Sequence, residues 1–287
     1  MSPSPGWRRL VAHSYRLGSR WLARAVLRRE RTHLRQGLYR LLVPLEPWRY
    51  YELGRVAEEP FSGRMLDVGS PKLLASLLRR EGRGQWVAID LLEDEIAAWR
   101  AIDPALDLRP ADARSLPFAD GEFDGCVCVS VIEHVPDDGD AGGAPGDARA
   151  MAEIWRVLRP GAVLHLTTNV APRTRQVLTG KPVYGPASPA VGERAFFERQ
   201  YDEEDLERRL LGLPWEELGR EYVRERAPVH RRFFAARPWS FLAGGLLAAL
   251  CPRNFEPVAT PAALRPGEHG VVYLRLRRPG GEADGRG

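Results

Sequence analysis

A glycine and an aspartate follow two apolar runs that are typical of buried strands. Gly69 comes directly after the run 65–68, where a glycine lets a ligand approach the backbone at the start of the next helix. Asp90 lies near the end of the run 86–91, 21 positions after Gly69. Doubly wound folds use this spacing to place a carboxylate against the hydroxyls of a ribose. A simple turn at Gly69 and a helix cap at Asp90 are the alternative interpretations.

Three further motifs follow in order: ADARSLPFADGEFD over 111–124, GCVCVSVIEHV over 125–135 and IWRVLRPG over 154–161. Together they resemble the class I S-adenosylmethionine-dependent methyltransferases, in particular the broad group that acts on small molecules. The resemblance covers residues 63–171, and 196–206 resembles the lead-in to a late helix of that group. It implies an α/β fold with a doubly wound, mostly parallel seven-stranded sheet, six strands parallel and the last antiparallel. It also implies S-adenosylmethionine as the cofactor.

The resemblance further implies a cofactor site. Asp67 and Gly69 would lie beneath the methionine portion, Asp90 would accept both ribose hydroxyls, and residues 112–113 would meet the adenine. Residues 130–133 would line the methionine end. The full set that we expect to bind the cofactor is Asp67, Gly69, Ser70, Asp90, Leu91, Asp112, Ala113, Ser130 and Glu133.

The first loop departs from that family, which usually carries two or three glycines there. In this chain Ser70, Pro71 and Lys72 follow Gly69. Proline suits a first helical turn, because an amide there would have no partner in the helix. The missing glycines favour a second hypothesis, a catalytically inactive methyltransferase fold that serves as a binding or scaffold subunit. An NAD-dependent dehydrogenase is disfavoured, since the glycine fingerprint for a pyrophosphate is missing.

Methyl transfer needs little beyond alignment of the acceptor, because the sulfonium of the cofactor already activates the methyl group. A base is needed only where the acceptor holds its proton tightly. His134, just after the fourth strand, is our candidate for that base, with a purely structural hydrogen bond as the alternative. We expect no metal, since the three cysteines fit packing better than a zinc site.

Short β-rich runs alternate with helical ones from Arg64 to Asn169, which predicts a parallel sheet with helices on both faces. We divide the chain into a basic helical extension with its connector (1–60), a methyltransferase domain (61–279) and a disordered tail (280–287). After Pro172 we expect a polar loop, and an apolar run predicts a helix at about 238–250.

The N-terminal segment is a basic amphipathic helix, with apolar residues and arginines in separate rows at helical spacing between Trp7 and Val26. The first 50 residues contain eleven arginines and two glutamates, which gives them a net charge of +9. The remaining residues carry a net charge of −5, so the whole chain has a net charge of +4. Three roles stay open: packing on the sheet domain or over its pocket, lying on an anionic membrane, and binding a partner or directing transit.

These patterns lead to expectations about partners and location. We expect a small-molecule, glycan or lipid-linked acceptor, with peripheral membrane contact through the N-terminal helix if that helix binds lipid. Nucleic acid is disfavoured, because the body of the chain has no basic patch interleaved with aromatic residues. We expect a cytoplasmic protein, since the odd number of cysteines argues against a disulfide framework.

Overall fold

The computed structural model describes residues 5–28, 31–137, 144–184, 188–228 and 251–280. In chain order the strands are β1 (Arg64–Val68), β2 (Gln85–Asp90), β3 (Asp107–Pro110), β4 (Phe123–Val129), β5 (Leu158–Val170), β6 (Arg175–Thr179), β7 (Ala190–Val191), β8 (Arg194–Gln200), β9 (Glu216–Glu225), β10 (Phe255–Val258) and β11 (Gly270–Arg277). The helices are α1 (Gly6–Arg28), α2 (Arg31–Leu42), α3 (Pro47–Val56), α4 (Leu73–Arg80), α5 (Glu93–Ile102), α6 (Gly146–Val157) and α7 (Glu203–Leu210).

The main sheet has eight strands in the order β10-β9-β11-β5-β4-β1-β2-β3. Strands β1 to β5 pair in parallel, and β11 runs antiparallel to both of its neighbours, β5 and β9. Six strands therefore share one direction and β11 opposes them, as expected. Strand β10 adds an eighth strand at the edge, antiparallel to β9. The α/β fold class with a mostly parallel sheet is confirmed, and the sheet is one strand wider than expected.

The sheet is buried on both faces, as strand β4 shows. Cys126 and Cys128 belong to the apolar cluster on one face, and Val127 and Val129 belong to the cluster on the other. All four are fully buried, because alternate residues of a strand point to opposite faces. Helices α4 and α5 cover one face, and α6 and α7 cover the other. This two-sided burial explains why the run reads as continuously apolar.

The N-terminal helix packs its apolar face against the sheet domain. Leu10, Leu17 and Trp21 are buried in the same cluster as α4 and α5. The ring of Trp21 meets that of Trp99 edge-on, with centroids 5.5 Å apart. Of the roles left open by the sequence, packing on the sheet domain is the one that occupies this face.

The segment after Pro172 contains more regular structure than expected. In place of a polar loop, β6, β8 and β7 form a small antiparallel sheet. Strand β6 is only half-buried, so it lacks the apolar alternation that would reveal a strand. The predicted helix at about 238–250 lies outside the described residues, as does the predicted tail 280–287 apart from residue 280. No helix in the described ranges has the length and apolarity to cross a bilayer.

Candidate functional site

A cavity of about 500 Å³ opens at the carboxyl ends of the parallel strands. Its lining includes Gly69 after β1, Asp90 at the end of β2, Asp112 after β3 and Ser130 after β4. Doubly wound sheets bind their ligands at this edge. The volume is in the range of pockets that hold small molecules and cofactors.

Gly69 bends the chain into the cavity wall. Its φ of +62° is a conformation that favours glycine. A Cβ on this residue would lie 2.8 Å from Cγ1 of Val131, which is closer than van der Waals contact allows. Its amide donates to the carbonyl of Ile89 at 3.1 Å. Glycine is therefore needed here both for the backbone conformation and for the close approach of the loop after β4.

Asp67 and Ser70 lie behind this loop and do not line the cavity. Both side chains are fully buried. The Ser70 amide donates to Oδ1 of Asp67 at 3.1 Å, and the Val129 amide donates to Ser70 Oγ at 2.8 Å. Burial raises the pKa of Asp67 to about 7, although nearby Lys72 opposes that shift. These two residues shape the loop that a ligand would meet.

Asp90 lines the cavity and is held from two sides. Lys72 Nζ lies 2.5 Å from its Oδ2, and the Leu92 amide donates to its Oδ1 at 2.9 Å. Lys72 is only 3% exposed, and Nζ also donates to the Ser70 carbonyl at 2.9 Å. Each carboxylate oxygen has two lone pairs, so Asp90 keeps the capacity to accept further hydrogen bonds.

Asp112 presents a second carboxylate in the same wall, two residues after the end of β3. Its Oδ1 accepts from the Arg114 amide at 2.8 Å, and its Oδ2 accepts from the Arg114 guanidinium at 2.7 Å. Burial opposes ionisation, but the hydrogen bonds and charge of Arg114 outweigh it and lower the pKa of Asp112. Ala113 also lines the cavity, so this turn offers a charged acceptor next to a small side chain.

His134 lies in the lining with an aromatic neighbour. Its Nδ1 is 2.7 Å from the carbonyl oxygen of Phe197, and its ring centroid is 5.0 Å from that of Tyr184. A carbonyl only accepts, so Nδ1 carries the hydrogen and Nε2 is left as an acceptor. Burial lowers the pKa of His134 to about 4, so the ring is neutral near pH 7.

Ser130 is tied to the N-terminal extension through an acid that the sequence analysis missed. Ser130 has a φ of +49°, and its Oγ donates to Oε1 of Glu52 in α3. Thr167 Oγ1 donates to the same oxygen at 2.8 Å, and Arg49 Nη1 lies 2.8 Å from Oε2. Glu52 is 1% exposed. The sequence offered one signal for this contact, because Glu52 is an acid on the buried face of the aromatic-rich helix α3.

Glu133 is fully buried beneath the cavity wall. Thr168 Oγ1 donates to its Oε2 at 3.0 Å, while its Oε1 has no hydrogen-bond partner in the structure. Burial raises the pKa of Glu133 to about 8. The residue is therefore mostly protonated at neutral pH and does not line the cavity.

Comparison with known proteins identifies the domain that carries this cavity. Residues 66–166 match the protein family described as "Methyltransferase domain". This segment is a methyltransferase domain. It includes most of β1, all of β2, β3 and β4, and most of β5, and hence the strand ends that form most of the cavity.

Two curated relatives resemble part of the chain. A ubiquinone/menaquinone biosynthesis C-methyltransferase UbiE of Dinoroseobacter shibae is 35% identical in an alignment of 112 residues that covers 35% of this chain and 40% of that protein. A probable S-adenosylmethionine-dependent methyltransferase of Mycolicibacterium smegmatis is 33% identical over 96 residues, 33% of this chain and 32% of that protein. The chain thus spans less than half the length of these relatives. The family match confirms the expected methyltransferase domain over residues 66–166.

Among solved structures, a phosphoethanolamine N-methyltransferase 2 of Haemonchus contortus in complex with S-adenosyl-L-methionine is similar over 79% of this chain and 51% of that one. The sequence identity is 16% and the TM-score is 0.46. This likeness is too distant to carry an argument about function.

The methyltransferase domain brings together part of the predicted site. The predicted residues that line the cavity are Gly69, Asp90, Leu91, Asp112, Ala113, Ser130 and His134. Asp67, Ser70 and Glu133 are fully buried and do not line the cavity, because their side chains point into the protein interior. Within the described ranges, no group of three or more His, Cys, Asp or Glu side chains is placed to hold a metal ion.

Proposed function

We propose that this chain is an S-adenosylmethionine-dependent methyltransferase that acts on a small-molecule, glycan or lipid-linked acceptor. The observation that carries the proposal is one cavity that gathers Gly69, Asp90 and Asp112 at the ends of three neighbouring parallel strands. The cavity is large enough for the cofactor, and its two carboxylates match the hydrogen-bond donors of a ribose and of an adenine amino group.

In this proposal the residues of the chain bind and orient the cofactor. Asp90 accepts the ribose hydroxyls, and Asp112 with Ala113 meets the adenine ring. Gly69 lets the backbone approach the methionine portion, and Ser130 lies at that end. The bound cofactor supplies a methyl group on an activated sulfonium, so alignment of the acceptor provides much of the rate enhancement.

His134 can receive a proton from the acceptor in this arrangement. The Phe197 carbonyl fixes the tautomer in which Nε2 has a free lone pair. Because its pKa is about 4, the imidazole is available in the neutral form but is a weak base. A base of this kind suits an acceptor whose proton is already acidic, or one that only needs a hydrogen bond for orientation.

The test is calorimetric titration with S-adenosylmethionine and S-adenosylhomocysteine. We expect binding by the wild type that is weakened at least tenfold by Asp90→Ala, which corresponds to about 1.4 kcal/mol. Asp94→Ala, an exposed acid in the first turn of α5, is the matched control and should bind like the wild type. Unchanged binding by Asp90→Ala would refute the assigned site.

The second candidate is a catalytically inactive methyltransferase fold that binds a partner. The observation that favours it is the first loop, where Lys72 pairs with the carboxylate meant for the ribose. Absence of binding to both ligands by the folded wild type would support this candidate over the enzyme. A scaffold has no need of Asp112 either, so Asp112→Ala should then leave partner binding intact.

We also propose peripheral contact of a cytoplasmic protein with an anionic membrane, through a surface other than the one suggested by the sequence. The apolar face of α1 is packed against the domain, but the end of α1 and one side of α2 expose apolar side chains. This N-terminal apolar patch consists of Val26, Leu27, Leu34, Leu38, Leu41 and Leu42. Exposed Arg28 and Arg35 directly follow Leu27 and Leu34 in the sequence. Apolar insertion next to cationic side chains is typical of interfacial helices that bind anionic lipid.

Vesicle flotation tests this surface. We expect the wild type to float with vesicles that contain phosphatidylglycerol and not with pure phosphatidylcholine. The double variant Leu38→Gln, Leu42→Gln should lose flotation, whereas Val191→Gln, at an exposed apolar side chain of β7, should keep it. A wild type that stays unbound at low salt would exclude the membrane proposal.

A further inference from the structure

Lys72 is a buried cation at the end of the first loop of the methyltransferase domain. Its Nζ lies 2.5 Å from Oδ2 of Asp90 and 2.9 Å from the carbonyl oxygen of Ser70. The side chain is 3% exposed and the Asp90 side chain is 16% exposed, so the pair is largely shielded from water. Lys72 is not part of the cavity lining, whereas Asp90 is. The ammonium therefore contacts the carboxylate from the protein side.

The backbone of the same loop has its amides committed elsewhere. The Gly69 amide donates to the Ile89 carbonyl, and the Ser70 amide donates to Asp67. Pro71 has no amide hydrogen. The three residues after β1 therefore offer no spare backbone donor in this structure, so Asp90 becomes the main polar anchor on this side of the cavity.

A buried carboxylate needs hydrogen bonds that fix its orientation, since a shielded charge without partners is costly. The Leu92 amide fixes Oδ1 and Lys72 fixes Oδ2. With one partner on each oxygen, the remaining lone pairs point in fixed directions. Removal of Lys72 would leave Oδ2 without its charged partner and free the carboxylate to rotate.

We propose that Lys72 is a positioning residue that orients Asp90 to receive the ribose of the cofactor, in place of the backbone donors that extra glycines would expose. This inference rests on the proposed function, because it assumes that Asp90 binds the ribose. It predicts that Lys72 acts on the ribose and not on the amino-acid portion of the cofactor.

Two ligands separate these portions. S-adenosylhomocysteine contains adenine, ribose and an amino-acid group, whereas 5′-methylthioadenosine contains adenine and ribose but no amino-acid group. We expect Lys72→Met to weaken the binding of both ligands by the same factor, about tenfold or more. Arg80→Met replaces an exposed cation at the far end of α4 and should change neither affinity. If only the binding of S-adenosylhomocysteine is weakened, Lys72 contacts the amino-acid portion of the ligand. That result would overturn the proposal.

A double-mutant cycle distinguishes positioning from general loosening of the fold. In the Asp90→Ala background, Lys72→Met should no longer weaken the binding of 5′-methylthioadenosine, because the carboxylate that Lys72 orients is gone. Equal weakening in both backgrounds, or unchanged or tighter binding by the single variant, would overturn the inference. If Lys72→Met does not fold by circular dichroism, Lys72→Gln takes its place, with the same equal weakening of both ligands expected. A folded wild type that binds neither ligand would overturn the proposed function, and this inference with it.

Discussion

Replacement of Glu133 by glutamine removes a buried carboxyl whose ionisation opposes folding. The side chain is fully buried, its Oε1 has no partner, and burial raises its pKa from 4.5 to about 8. Between these two values the unfolded chain has released the proton while the folded chain still holds it. The wild type therefore loses stability as the pH rises from about 4.5 to about 8, and this loss is complete above the folded pKa.

The size of the effect follows from the two pKa values. A shift from 4.5 to about 8 corresponds to about 5 kcal/mol over the whole range, at 1.36 kcal/mol per unit. Between pH 5 and pH 8.5 the linkage relation gives about 4 kcal/mol of this total. Glutamine has no proton to release, so the stability of Glu133→Gln relative to the wild type should increase by about that amount across the interval. Any fixed cost of the buried amide is the same at both pH values.

Urea unfolding at pH 5, 7 and 8.5 measures this difference by linear extrapolation. Glu193→Gln, at an exposed turn position between β7 and β8, is the control and should follow the wild type at every pH. A stability gap between Glu133→Gln and the wild type that stays constant within 1 kcal/mol would refute the reasoning. It would show that Glu133 ionises in the folded protein as readily as in the unfolded chain.

Two further predictions concern stability measured by urea unfolding, and each compares a variant with a matched control variant. Gly69→Ala should destabilise the fold by more than about 2 kcal/mol and weaken the binding of S-adenosylhomocysteine, since the alanine would combine a positive φ with a Cβ clash against Val131. Gly82→Ala has a similar φ and open space, so it should cost only the conformational strain, about 1–2 kcal/mol; equal losses would contradict the steric argument. Asp147→Asn should cost about 3 kcal/mol or more, because the fully buried carboxylate accepts from two arginines and a tyrosine. Asp137→Asn, which is 41% exposed and bonds the same arginines, should cost clearly less, and the reverse order would refute the role of burial.

The sequence by itself determined the alternation of strands and helices and the strand ends beside Gly69 and Asp90, whereas only the family resemblance pointed to Asp112. These features depend on local patterns: an apolar run with a glycine or an acid at its end predicts a strand tip, and parallel strands bring their carboxyl ends to one edge. The resemblance of the motifs then placed these tips in a known family. The sequence did not predict β3, β10 or the small sheet, because edge and half-exposed strands lack a clear apolar period.

Only the tertiary structure decided which polar groups face the cavity and which lie behind it. Asp67 in β1 and Glu133 after β4 lie near strand ends as Asp90 does, yet both are buried, since the direction in which a side chain points depends on dihedral angles that the sequence pattern does not encode. Glu52 reaches Ser130 across 78 residues of chain, a contact that no local pattern predicts. Lys72 meets Asp90 because two strand ends lie side by side in the sheet. Contacts of this kind depend on how distant segments pack, and they determine how the cavity can hold a ligand.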